Sequence, residues 1–142
     1  MKKILAFVLF LSINVTAQSD LDAVVKGYFI ARAATMQENS SEKDVDKVLS
    51  MYTDDFVYEH PKFNAKITGK DKSGMVKWLG ATRNVQFDIR QSITGFNMVA
   101  VEVELNGEMK SDGKWIPLKR AQIMFFEFDG KLIRRIVEDW KK

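Results

Sequence analysis

Cysteine is absent from this 142-residue chain, proline occurs twice and histidine once. Without cysteine there is no disulfide framework, no thiolate zinc site and no lipid-modified cysteine at a processed N-terminus. A single imidazole leaves almost nothing else from which to build a zinc centre. So little proline excludes a collagen-like repeat or a disordered tail. What is present is 46% hydrophobic and 29% charged residues. That is the composition of a packed globule, with chain enough for one core but not two.

Only one long hydrophobic run occurs, and it is at the start. Lys2 and Lys3 precede Ile4 to Val15, which is broken only by Ser12 and Asn14, and Val15-Thr16-Ala17 fits the small-residue cleavage rule. The run is short for a membrane span, and polar, acidic sequence follows at once. The expectation is a signal peptide over residues 1–17, cut before Gln18 and leaving a single domain over 18–142. The destination is then the periplasm or the outside of a bacterial cell, with no membrane attachment after the cut. The alternative is a buried N-terminal helix or an uncleaved anchor.

Excess charge of one sign is also missing. Removing Lys2 and Lys3 from 22 basic residues leaves 20 against 19 acidic ones, a net +1. Acids and bases are interspersed, as in Glu42-Lys43-Asp44 and Lys70-Asp71-Lys72. No basic stripe interleaved with aromatics offers a nucleic-acid surface. No glycine-rich phosphate loop, nucleophile elbow or paired metal ligand occurs, so no cofactor and no metal is implied.

The hydrophobic period is helical first and two-residue afterwards. Leu21, Val24, Val25 and Tyr28 fall at i, i+3, i+4, i+7, which predicts a helix from Asp20 to about Met36. Val45, Val48, Leu49 and Tyr52 repeat that spacing behind Ser41 and Asp44, a weak capping box. Phe56 to His60 predicts a short strand at a sheet edge, stopped by Pro61. Met75, Val76, Trp78 and Leu79 predict a third short helix, weakened by Gly74. From Val85 onward apolar and polar residues alternate through four strands, with turns at Thr94–Asn97, Asp112-Gly113 and Asp129-Gly130. Asn106-Gly107 is read as a bulge in a long strand rather than a turn. The order α-α-β-α-β-β-β-β makes an α+β domain, a curved antiparallel (mixed) sheet wrapped as a cone around the N-terminal helices.

The segment from Tyr52 to Pro61 (YTDDFVYEHP), the Thr68-Gly69-Lys70-Asp71 before the third helix and the ending Phe126-Glu127-Phe128-Asp129-Gly130-Lys131-Leu132-Ile133 resemble the nuclear transport factor 2-like superfamily, in particular its SnoaL-like branch. The resemblance covers nearly all of residues 18–142 and implies the cone fold. It does not imply one function, since the superfamily includes ketosteroid isomerases, polyketide cyclases, dehydratases, epoxide hydrolases and non-catalytic members.

Carried over residue by residue, the resemblance singles out Tyr28 as a hydrogen-bond donor in the cone. It puts His60 where the isomerases place their general base, just before the proline that ends the first strand. An imidazole, with an ordinary pKa of about 6.5, is competent for that task. The isomerases' second, protonated acid falls at Met124, which donates nothing, so a steroid isomerase mechanism is rejected. If Met124 points inward, alternation turns Gln122 and Arg120 inward too, with Phe126 as apolar wall. Only one of Glu138 and Asp139 can face the cavity, and the alignment favours Asp139, paired with Arg120. Trp78 and Trp140 are placed at the mouth. Glu59 should face away from His60.

Two functions follow. The first is an exported domain that binds a small apolar ligand in its cone without catalysis. The alternative is a small-molecule isomerase, dehydratase, cyclase or hydrolase with His60 as general acid/base, Tyr28 as donor and Asp139 as acid partner. A homodimer through the open sheet face is expected beside either, with Val99, Val101 and Val103 as the pairing row.

Overall fold

In the computed structural model, which describes the backbone of residues 5–141 and side chains of 20–141, helix α1 (Leu5–Ala34) lies across the concave face of a sheet. Leu21, Val25, Tyr28 and Phe29 are buried on one stripe of it, as their spacing requires. The leader expected over residues 1–17 lies outside the residues described with side chains. Helix α2 (Glu42–Leu49) packs on α1. Asp44 Oδ2 accepts both the backbone N–H (2.8 Å) and the hydroxyl (2.9 Å) of Ser41, the expected capping box. The helix stops at Leu49 because Tyr52 already belongs to the first strand.

Strand β1 (Tyr52–His60) ends at Pro61, and a single 3-10 turn, Pro61–Phe63, follows. Asn64, in the left-handed region at φ 50°, then reverses the chain into β2 (Ala65–Thr68). The short helix α3 (Lys72–Val76) is capped by Asp71, which accepts the Gly74 N–H. Lys72 ties it to α2 through Glu42 (3.3 Å) and Asp46 (2.7 Å). The meander β3 (Thr82–Thr94), β4 (Met98–Ser111), β5 (Lys114–Asp129) and β6 (Leu132–Trp140) completes a six-stranded sheet in the order β2-β1-β6-β5-β4-β3. Only β1 and β6 run parallel. The fold is thus α+β with a curved mixed sheet, in the expected element order plus one short strand.

Three local expectations change. The sheet edge is β2, not β1; all four β2 residues are exposed, so no apolar alternation announces the strand. Next, β4 runs unbroken through Asn106-Gly107, and the extra residue lies opposite, in β3. Pairing there steps from Arg83↔Glu108 to Gln86↔Asn106. Gly107 is required by that crowding, since a Cβ on it would stand 2.8 Å from Val85 Cγ2 and 3.0 Å from the Arg83 carbonyl. Finally, Val99, Val101 and Val103 do not form an outer row. They pair with Phe126, Met124 and Gln122, and all three valines are buried beneath the helices. The outer face carries Ile93, Met98, Ile123 and Phe125 instead.

Candidate functional site

The concave face of the sheet leaves a cavity of two adjoining lobes, about 350 Å³ each, that share Tyr28, Arg32, Tyr58, Trp78 and Glu138. The first lobe is mainly apolar and aromatic, with Leu49, Tyr52, Phe56, Ile67 and Met75 in its wall. The second holds the polar groups His60, Arg120 and Gln122, with Met124, Phe87 and Trp140 between them.

Glu138 is the centre of the polar end. Tyr58 donates its hydroxyl to Oε2 at 2.9 Å. Gln122 Nε2 and Trp140 Nε1 both donate to Oε1, the latter at 3.2 Å. His60 Nε2 stands 3.8 Å from the same Oε1, with both side chains largely covered (7% and 14% exposed). Neither imidazole nitrogen of His60 has a hydrogen-bond partner among the described residues, nor does the buried Gln122 Oε1. A buried polar atom without a partner calls for an explanation. Phe63 and Trp140 flank the imidazole, with centroids 4.5 and 5.3 Å away.

Strand periodicity explains this convergence. On β1, residues two apart share a face, so His60 brings Tyr58 inward with it. On β5 and β6, Gln122 lies opposite Trp140 and Met124 opposite Glu138. The same register sets Asp139 opposite Ile123 on the outer face. The sequence choice of Asp139 is therefore corrected: it is exposed and only accepts the neighbouring Trp140 backbone N–H. Arg120 makes no ion pair with it and instead lays its guanidinium over the Trp140 ring at 3.7 Å. Phe126 faces inward, yet it is fully buried against Tyr28 and Phe29 and belongs to the core rather than the cavity wall. Glu59 faces outward, as expected, and pairs with Arg135 and Lys66.

Burial raises the Tyr28 phenol above its ordinary value, partly offset by the charge of Arg32 and hydrogen bonds with Tyr52 and Arg32. Tyr58 is raised by burial first and then by the negative charge and hydrogen bond of Glu138. Both phenols therefore keep their protons, and Tyr58 donates its own to Glu138.

The structure brings Tyr28, His60, Trp78, Arg120, Gln122, Met124 and Trp140 to one cavity. Sequence reasoning missed Tyr58, Glu138 and Arg32. The signal for Tyr58 was its place two residues before His60. For Arg32 it was its place four residues after Tyr28, on the buried face of α1. Glu138 required the β5–β6 register, which two adjacent acids conceal.

A sequence model of the SnoaL-like domain matches residues 33–136. A comparison with curated proteins finds no match. Among solved structures, a Mycobacterium tuberculosis LEH-like epoxide hydrolase is similar, at 17% identity with a TM-score of 0.68, over 87% of this chain and 84% of that one. A Shewanella denitrificans protein assigned as a SnoaL-like polyketide cyclase is 15% identical, with a TM-score of 0.70 over 85% and 90%. PrhC from Penicillium brasilianum is 12% identical, with a TM-score of 0.71 over 88% and 82%. At these identities the likeness shows the fold.

Proposed function

The chain belongs to the SnoaL-like domain family, and from that premise we propose that its cone binds a small, mainly apolar molecule and exchanges a proton with it at Glu138 and His60. One observation carries the reading. At the polar end of the cavity the Glu138 carboxylate is held by three neutral donors, beside an imidazole whose nitrogens are both unpartnered among the described residues. Tyr58, Gln122 and Trp140 fix the carboxylate's direction without neutralising it as a lysine or arginine would. Glu138 is then the proton acceptor, from the ligand or from a water beside it. His60 returns a proton to the oxygen that develops charge. The reaction class is general acid–base: isomerisation, dehydration, cyclisation or hydrolysis. Steroid isomerisation stays outside it, because Met124 occupies the face where a second acid donor would be needed.

Binding without turnover is a second reading, favoured by a separate observation. Glu138 Oε1 already accepts two hydrogen bonds and Oε2 one, while the first lobe offers an apolar chamber of its own. Titrating the purified protein with apolar ketones, lactones and epoxides, followed by Trp78 and Trp140 fluorescence and by product analysis, separates the two. Catalysis requires a ligand that binds and turns over, with turnover lost in His60→Gln. Saturable binding without product from any bound compound leaves the binding domain.

We propose in addition that residues 1–17 are a leader removed on export, supported by the charge, length and cut site of the segment. Pairing of two copies is proposed through the outer sheet face, where Ile93, Phe125 and Ile123 are exposed.

A further inference from the structure

Charge in the second lobe of the cone is unbalanced. The second lobe is lined by two guanidiniums, Arg32 and Arg120, and one carboxylate, Glu138, which is already taken by neutral donors. Asp71 lines the first lobe, but its carboxylate accepts the Gly74 N–H (2.9 Å) and the Ser73 hydroxyl (3.2 Å) at the start of α3.

Partly buried arginines elsewhere in this fold are forked onto acids. Arg83 reaches Glu108 at 2.8 and 3.2 Å, and Arg135 reaches Glu59 at 2.6 Å and Glu127 at 2.8 Å. Neither cavity arginine has a carboxylate within ion-pair distance among the described residues. Arg120 rests on the Trp140 ring. Arg32 Nη1 donates to Thr35 Oγ1 at 2.9 Å, and its charge bears on the Tyr28 phenol. Five donors in a rigid fork leave capacity for a bidentate acceptor. A guanidinium drawn into a cavity without a carboxylate paired to it is costly until an anion arrives.

We infer that the ligand of the cone is a small apolar acid, its carboxylate held by Arg32 and its body lying in the chamber of Leu49, Tyr52, Phe56 and Met75. This rests on the binding reading above and names the chemistry of the ligand. Arg32 and Glu138 both line the junction of the lobes. An acid anchored on Arg32 keeps the carbons next to its carboxylate at the junction that Glu138 also lines. A carboxylate suits the site because it takes two parallel N–H donors from one guanidinium.

The test uses matched pairs: cinnamic, phenylacetic and octanoic acids, each against its methyl ester, titrated by tryptophan fluorescence into the full-length protein and its variants. Wild type should bind at least one acid about tenfold or more tighter than its ester. Arg32→Gln should bring that acid down to the level of the ester and leave the ester unchanged. Arg32→Lys, which keeps the charge but loses the fork, should fall between and serves if the glutamine variant does not fold. Equal binding of acid and ester to wild type overturns the inference and leaves the cone-binding reading standing. A preference for acid that survives in Arg32→Gln overturns the assignment to Arg32. Failure of every acid and every ester to bind overturns both.

Discussion

Tyr58 and Glu138, eighty residues apart in sequence, meet in a 2.9 Å hydrogen bond across the only parallel strand pair of the sheet. Tyr58→Phe removes the donor to Glu138 Oε2 and nothing else of similar size. It should cost about 1 kcal/mol of stability while weakening ligand turnover far more than the melting temperature. Glu138→Gln and His60→Gln should each lower turnover by roughly 10²–10⁴-fold with the fold intact by circular dichroism. A His60→Gln protein that unfolds would make the imidazole structural.

Alkaline pH gives a test of burial. All three tyrosines, Tyr28, Tyr52 and Tyr58, are raised above the ordinary phenol value, burial being the first cause in each. The folded state therefore keeps these protons when the unfolded chain has released them. Their contribution is fully present below the ordinary value of about 10 and is lost as pH rises beyond it. Phenolate absorbance should climb together with loss of circular dichroism. Any tyrosine that ionises near pH 10 while the fold persists would show that its phenol reaches solvent.

Gly107→Ala should cost about 1–3 kcal/mol, measured by chemical denaturation. The added Cβ meets Val85 Cγ2 and Cα and the Arg83 carbonyl, and two of these three are backbone atoms that cannot swing aside. A neutral result would mean that β3 and β4 separate at the bulge.

Much of this was legible beforehand, for identifiable reasons. The helix stripes and the meander showed because each buries one face, so period and burial coincide, as at Leu21, Val25 and Tyr28. His60 stands out because the resemblance places the isomerases' base just before the proline that ends the first strand. Asp139 was chosen over Glu138 because two neighbouring acids are distinguished only by pairing register, and register is a property of two strands. The valine row misled in a similar way: alternation places Val99, Val101 and Val103 on one face without saying which face is covered.

Light scattering tests the pairing of two copies. Phe125 sits in the outer row with Ile93, Ala100 and Val137 as lateral neighbours. Phe125→Lys should convert a dimer to a monomer, and a monomeric wild-type protein removes the proposal.

Mass spectrometry of the chain recovered after expression in a bacterium with its native start should give a first residue of Gln18. Recovery with Met1 intact in the membrane fraction would instead identify an anchor.

Strand β6 comes last of the six strands in sequence, yet it lies between β1 and β5 in the sheet. Until residues 132–140 have left the ribosome, the β1–β2 hairpin and the β3–β5 meander are two unjoined pieces. Ile133 and Ile136, both fully buried, are missing from the core they later fill. The Glu138 carboxylate arrives with that same strand. A nascent chain of this design cannot complete its cavity for as long as β6 is withheld. A chain without β6 would lose Ile133, Ile136 and the Glu138 carboxylate together.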